Sequence, residues 1–455
     1  MRVFRFRGPF GCVCGAVFLL PHLVSAASNT WSSSTSLNQA RSGSAAVRLS
    51  DGRILFTGGT GGSGPLASTD FFNTDGSISA GGSMKQARSG HAAVVLQDGR
   101  VLVAGGTIAE GAVTNSAEIY DPFSNTWNTV PSGMNTARSG ETVTLLNDGR
   151  VLIAGGQSTS GPTNTLEIYS PASNSFTLVS GALSAPRQQH AAALLQDGRV
   201  LVAGGSDGSK SLSSADIYDP SSGVIASAGS MAGARAGLSA TTLLDGTVLL
   251  AGGNDGAKDL ASADMYNPAT PGFSAIAALG AARSGHLAFL LPNNNQVLIA
   301  GGTAVGTTLQ SVELFTPWTG KFAFAAFMST ARSSAAGAAS QLDGQLLVGA
   351  GANGTGSLSS TEIYKFATVK TDQADYAPGT TVNISGSGWQ PGETVALTLV
   401  ESPLIDTHGP FTAVADSNGN ISNSQFATDS HDVNISPLWD RSLTHRRPSR
   451  TVPRT

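Results

Sequence analysis

Cysteine is almost missing from this chain. Its 455 residues include two, Cys12 and Cys14, both within the first 26. The segment beyond them can form no disulfide, no thiolate metal site and no cysteine nucleophile. Charged residues are scarce at 12%, about half the usual share, and aromatics reach only 6%. Beyond the N-terminus no apolar run approaches the ~20 residues that a membrane-spanning helix needs. Disorder requires high charge and few apolar residues, yet hydrophobic residues make up 40%. Glycine, by contrast, is abundant at 56. That rules out a coiled coil or long-helix protein, and the glycines lack the period of three that collagen demands. The composition describes a Gly-punctuated, β-rich globular protein.

The formal net charge of −4 hides an acidic body. Setting aside the three arginines of residues 1–26 and the five of residues 441–455 leaves 18 basic residues against 30 acidic ones, a net of −12. Such a body repels phosphate backbones, which argues against nucleic-acid binding. Arg2, Arg5 and Arg7 precede an apolar run around Cys12–Leu20, and the small residues Val24-Ser25-Ala26 follow. This is the pattern of a secretory signal, residues 1–26, cleaved near Ala26. The run is short for a membrane anchor, the alternative reading. The expected location is secreted, cell-surface or periplasmic, with no transmembrane anchor.

Self-similarity determines the architecture. A short apolar run ending in paired glycines recurs at Ile54–Gly59, Val101–Gly106, Val151–Gly156, Val200–Gly205, Val248–Gly253 and Val297–Gly302. Leu346–Gly351 is a degenerate seventh copy. The position of the first glycine advances in steps of 47, 50, 49, 48 and 49 residues, and a further 49 reach its equivalent, Ala350, in the degenerate copy. Arg41, Arg88, Arg138, Arg187, Arg235, Arg283 and Arg332 open the seven units. An Asp-Gly pair, such as Asp98-Gly99 or Asp148-Gly149, precedes most of the apolar runs. Between apolar stretches it is the strongest short hairpin signal, because the turn requires positive φ. An acid–apolar–aromatic triplet follows the glycines, as in Glu118-Ile119-Tyr120. Seven residues after the aromatic comes Trp127, Phe176, Ile225, Phe273 or Phe322.

Each unit therefore offers four short strands: an Ala-rich first, a Gly-ending second, a third with the aromatic and a fourth with the Trp or its substitute. Four antiparallel strands in roughly 45–50 residues make one propeller blade. The seventh unit stops at Tyr364 without a fourth strand. Ser28-Asn29-Thr30-Trp31 precedes the first unit and matches Ser124-Asn125-Thr126-Trp127. The N-terminal strand is thus expected to complete the seventh blade and remove the open edge. Gly-Gly, Tyr and Trp at this spacing resemble the kelch repeat. The phrase Arg88-Ser89-Gly90-His91, followed by Asp98–Gly106, is similar to bacterial kelch and galactose-oxidase-type propellers. The resemblance covers about residues 28–365. It implies an all-β fold, a seven-bladed kelch-type β-propeller over residues 27–365.

The beat ends at Lys365. Residues 366–440 read as a partial β-sandwich module, with period-two segments at Thr381–Ser385 and Thr394–Val400. Gly386–Glu393 resembles bacterial Ig-like modules. Only ~75 residues are available, against the ~100 of an Ig sandwich, so a truncated module is expected. Residues 441–455 read as a disordered Arg-rich tail, with a basic interaction tail as the rival.

The seven arginines are the candidate ligand-binding residues: a positive ring at the channel mouth for carboxylate, sulfate or phosphate groups. The alternative is that they pair with third-strand acids of adjoining blades. Three positions after them lie Ser44, His91, Glu141, His190, Leu238, His286 and Ala335. The histidines fall in alternate blades, too far apart for ~2 Å bonds to one metal ion, and hydrogen bonds to backbone are expected instead. No catalytic residue, metal or other cofactor is assigned. A galactose-oxidase-like copper centre needs a Tyr–Cys cross-link, for which the mature chain has no cysteine. Loops Thr60–Ser68, Thr107–Ser116 and Asn254–Ser262 are rich in small polar residues suited to adaptable hydrogen bonding. The expected function is a monomeric, non-enzymatic binding module for a glycan or protein ligand. A carbohydrate-active enzyme of the sugar-mutarotase kind, or a purely structural envelope protein, is the alternative.

Overall fold

The computed structural model describes residues 4–5, 16–22, 29–340, 344–373, 379–402, 407–427 and 436–437. The chain divides into two compact units, one of Ala26–Thr368 and one of Met1–Ser25 with Val369–Thr455. Both cysteines, the cleavage site near Ala26 and the Arg-rich tail lie outside the described residues. Among those residues the only helical element is the three-residue 3₁₀ turn Ala109–Gly111.

The larger unit holds seven four-stranded antiparallel sheets. In the second sheet, Ala92–Val95, Val101–Ala104, Ala117–Asp121 and Thr126–Thr129 lie side by side in chain order. The turn joining the first two strands holds Gly99 at φ +85°, where a side chain would be strained. The second strand is buried on both faces. Leu102 and Ala104 join a cluster with Val151, Ile153 and Tyr169 of the third sheet. Val101 and Val103 join another with Leu55 and Phe71 of the first. Period-two alternation thus sends successive side chains into two different cores, which is why the run is apolar throughout.

The same device links the whole set. Seven apolar clusters join first to second, second to third, and so on to sixth with seventh. The last brings Ile54, Phe56 and Phe72 of the first sheet against Ala336 and Leu347 of the seventh. Backbone bonds follow the same path. The second glycine of each unit donates its N–H to the carbonyl of the arginine opening the next, as in Gly106 to Arg138 and Gly156 to Arg187. The series ends with Gly351 donating to Arg41 at 2.8 Å. The first glycine of each pair leaves room for this approach. A Cβ on Gly155 would lie 2.7 Å from the Arg187 carbonyl oxygen.

The seventh sheet takes its fourth strand from the start of the chain. Thr30–Ser34 pairs with Thr361–Lys365, and Trp31 stands opposite Tyr364. Their rings lie 5.0 Å apart at 42°, and Tyr120 and Trp127 lie 5.1 Å apart at 42°. Tyr364 Oη donates to Asn29 Oδ1 at 3.0 Å, as Tyr120 Oη does to Asn125 Oδ1 at 2.9 Å. The match between the two Asn-Thr-Trp phrases therefore extends to individual atoms.

The smaller unit is also built of strands. Thr381–Ser387 pairs with Ile421–Ala427. Thr394–Ser402 lies between Ala16–His22 and Thr407–Val414. Val382, Ile384, Trp389, Val395, Leu397 and Ile421 are buried. Gly392 and Gly419 occupy turns at φ +80° and +75°.

Candidate functional site

The arginines at the head of each unit do not form a surface ring. Arg41, Arg88, Arg138, Arg187, Arg235, Arg283 and Arg332 are all at most 1% exposed. Arg138 shows the pattern. Its Nη1 donates to the carbonyls of Gly155 and Thr165 at 2.8 and 3.1 Å. Its Nη2 donates to Thr165 Oγ1 at 2.9 Å and Glu167 Oε1 at 2.7 Å. Every unit repeats this pairing, through Asp70, Glu118, Glu167, Asp216, Asp264, Glu313 and Glu362. The acid belongs to the arginine's own unit and not to an adjoining one. Where it is a glutamate, it also accepts backbone N–H groups ahead of the arginine, as Glu167 does from Asn135 and Thr136. Desolvation is the main influence on six of these guanidinium groups and lowers their pKa, against the pull of the acid. The expectation of a ligand-binding ring is thus corrected. The arginine must staple the Gly-ending strand to the third strand, and that use engages its Nη1 and Nη2 and removes it from solvent.

Three positions further on, the side chains turn toward the preceding sheet. His91 Nε2 pairs with Thr57 Oγ1 at 2.8 Å, His190 Nε2 with Thr142 Oγ1 at 2.9 Å and His286 Nε2 with Ser239 Oγ at 2.9 Å. The partners are hydroxyl side chains, which spacing alone did not reveal. Burial, reinforced by the buried arginines, pushes all three imidazoles down to about 3. Glu141 occupies the same position with the opposite outcome. The positions that supply those hydroxyls to the histidines hold Ala92 and Ala104 in the preceding unit, and neither carboxyl oxygen has a hydrogen-bond partner. Desolvation raises it to about 8. No group of three or more His, Cys, Asp or Glu side chains among the described residues is arranged to hold a metal ion.

Two positions after each arginine the chain turns left-handed. Gly43, Gly90, Gly140, Gly237 and Gly285 have φ between +59° and +66°. The backbone N–H of Gly90 donates to Gly43 O, Gly140 to Gly90, Gly285 to Gly237, Gly43 to Ser334 and Gly237 to Gln189, all at 2.8–3.0 Å. Gln189 and Ser334 fill the two remaining places. They keep the left-handed backbone at φ +52° and +48°, where a Cβ is unfavourable. Among the described residues their own N–H groups donate to no backbone carbonyl, so the chain of bonds breaks at these two places.

Both residues line an open cavity of about 600 Å³. His190 and Ser206 of the fourth unit and Asn254 of the fifth contribute to its wall, with Ser284 and His286 of the sixth. Of the three loops singled out from composition, Asn254–Ser262 contributes; Thr60–Ser68 and Thr107–Ser116 do not. Gln189 and Ser334 were missed, although the signal was present. Arg-Ser-Gly or Arg-Ala-Gly opens five units, whereas Arg187-Gln188-Gln189 and Arg332-Ser333-Ser334 open the other two. A second depression, of about 720 Å³, lies among the outer strands of the third and fourth sheets, beside Leu178 and Val224.

The KLHDC2/KLHL20/DRC7 Kelch-repeats domain matches residues 76–253. No curated protein matches the sequence. Among solved structures, the chain is similar to a novel fungal alcohol oxidase with catalytic diversity among the AA5 family, in complex with copper. The two are 17% identical with a TM-score of 0.64, over 90% of this chain and 92% of that one. It is also similar to YjhT at 16% identity and a TM-score of 0.51, over 64% of this chain and 99% of that one. Likeness at such identities is one of fold. Together with the seven in-phase units and their four-stranded sheets, these matches give the chain a kelch-type β-propeller fold.

Proposed function

We propose that this chain is an exported, monomeric, non-enzymatic binding module whose propeller takes a glycan or protein ligand. The observation that carries this reading is the open cavity of about 600 Å³ bearing Gln189 and Ser334. Its wall is largely of polar side chains, with Ala236 and Leu238 among them, on a framework whose unit-opening arginines are buried and paired. Rigid scaffolds that present polar loops are suited to recognition. Export is supported by the signal-like segment 1–26, and no described helix is long and apolar enough to cross a membrane. The rival, a carbohydrate-active enzyme, needs a group that exchanges protons near neutral pH. The titratable side chains at this cavity are His190 and His286, held near 3. Purified full-length chain is to be screened on a glycan array and cross-linked to proteins of an envelope extract. Specific retention on either supports the proposal, and no ligand on both overturns it. Turnover of a free sugar would favour the enzyme.

A further inference from the structure

Gln189 and Ser334 interrupt a position that glycine fills in the other five units, and both side chains are exposed. Keeping a left-handed backbone under a Cβ is unfavourable, and strain of this kind concentrates at functional sites. Here the two strained residues fall on the same cavity. Beside Ala236, Leu238 and two histidines, the cavity is lined by uncharged polar side chains. Gln189, Ser206, Ser211, Asn254, Ser284 and Ser334 offer hydroxyl and amide groups that both donate and accept. Asp, Glu, Lys and Arg are absent from its lining, and the two histidines are neutral at physiological pH. A partly exposed carboxylate adjoining the lining, Asp259, is engaged by Asn254 Nδ2, Ser284 Oγ and the Val305 N–H. Its charge opposes an anion.

We infer that this cavity is a subsite for a neutral saccharide, with Gln189 and Ser334 as its specificity-determining residues. A sugar presents hydroxyls that donate and accept, matching amide and hydroxyl walls without desolvating an unpaired charge. The backbone N–H groups of Gln189 and Ser334 are two further donors at the same place. An anionic ligand finds no cation there, because all seven unit-opening arginines are buried and paired. This assignment rests on the binding-module reading and narrows its ligand class.

The test uses the full chain and five tetrasaccharides: cellotetraose, mannotetraose and maltotetraose, with tetragalacturonate as the anionic and tetraglucosamine as the cationic counterpart. Binding is read by saturation-transfer NMR and by titration calorimetry. At least one neutral probe is expected to bind with a Kd of about 1 mM or tighter, and both charged probes about tenfold or more weakly. Gln189→Gly and Ser334→Gly restore the residue that the other units carry, so neither is expected to lower the melting temperature. Each is expected to weaken saccharide binding, and the pair to weaken it about tenfold or more. Unaltered binding by the double variant overturns the site. Equal or tighter binding of tetragalacturonate overturns the neutral class. If no saccharide binds but an envelope protein cross-links, the saccharide assignment falls and the binding-module reading stands. If neither is retained, both fall.

Discussion

Replacing Glu141 by glutamine is expected to stabilise the protein, and to do so only as the pH rises. The carboxyl is 7% exposed and without a hydrogen-bond partner. Its pKa is raised from 4.5 to about 8 by desolvation, against the opposing pull of its own backbone N–H, Arg138, Arg88 and the Ala92 N–H. A group with a raised folded pKa contributes its stability fully below the unfolded value and loses it as pH rises toward the folded one. Below pH 4.5 the carboxyl is neutral in both states, and glutamine, neutral and of the same shape, changes little. Between 4.5 and 8 the unfolded chain gives up a proton that the folded chain retains, and stability falls by about 1.4 kcal/mol per pH unit. Glu141→Gln escapes that loss. Its advantage grows to about 3 kcal/mol near pH 7 and about 5 kcal/mol above pH 8. Urea unfolding of both proteins at intervals from about pH 5 to about pH 9, followed by tryptophan fluorescence, measures the difference directly. An advantage that stays constant across this range refutes the argument, because it points to packing and not to a buried proton.

The histidines carry the opposite sign. Because their folded pKa values are depressed to about 3, the stability they contribute is present above 6.5 and lost as pH falls toward 3. His91→Gln and His190→Gln should each flatten the acid side of the urea-midpoint profile by several kcal/mol, about 1.4 per pH unit; parallel curves would sink this. Arg138→Met leaves Glu167 buried without its cation, held only by the Asn135 amide and two backbone N–H groups, an expected cost of about 3–5 kcal/mol. Much of it should return in Arg138→Met/Glu167→Leu, as a double-mutant cycle in urea would reveal. Gly155→Ala puts a Cβ 2.7 Å from Arg187 O at φ +58° and should cost about 2–4 kcal/mol by calorimetry. Deleting residues 27–39 removes Trp31 from Tyr364 and should lower the melting point sharply. It should also bring the Tyr364 phenol, which burial now pushes up, back toward its ordinary range in an ultraviolet titration. An unchanged melting point would contradict the pairing of Thr30–Ser34 with Thr361–Lys365.

Most of the architecture could be read from periodicity, because each landmark answers a local physical demand that repeats with the sheet. Gly155 recurs because the next unit's arginine carbonyl occupies the space of a side chain, and Gly156 because the carbonyl of Ser139 in its own unit does. The second strand is wholly apolar because both its faces meet a core. Asn29-Thr30-Trp31 matched Asn125-Thr126-Trp127 because the same tyrosine hydroxyl and the same stacked ring await each. What periodicity could not convey was direction. The arginines look like free cations in the sequence, and only the folded register places Glu167 2.7 Å from Arg138. Nor does spacing give the three-dimensional neighbour that decides a pKa. His190 meets a hydroxyl on Thr142, whereas the Glu141 carboxyl finds no hydrogen-bond partner.

In a sevenfold repeat, a residue present in every copy satisfies a need common to every copy, and that need is the joining of sheets. A ligand breaks the symmetry, so its site is to be sought where one copy departs from the others at an energetic cost. Ala350 departs from glycine at φ +59° but is fully buried, and its methyl serves the apolar cluster between the seventh and first sheets. Gln189 and Ser334 bear the same kind of strain in the open, with no core to fill and no backbone carbonyl taking their N–H groups. Packing accounts for the first departure and not for the other two. The exposed pair faces a polar cavity free of lining Asp, Glu, Lys and Arg, and recognition of an uncharged, hydroxyl-rich molecule is the physical use that matches both their position and their chemistry.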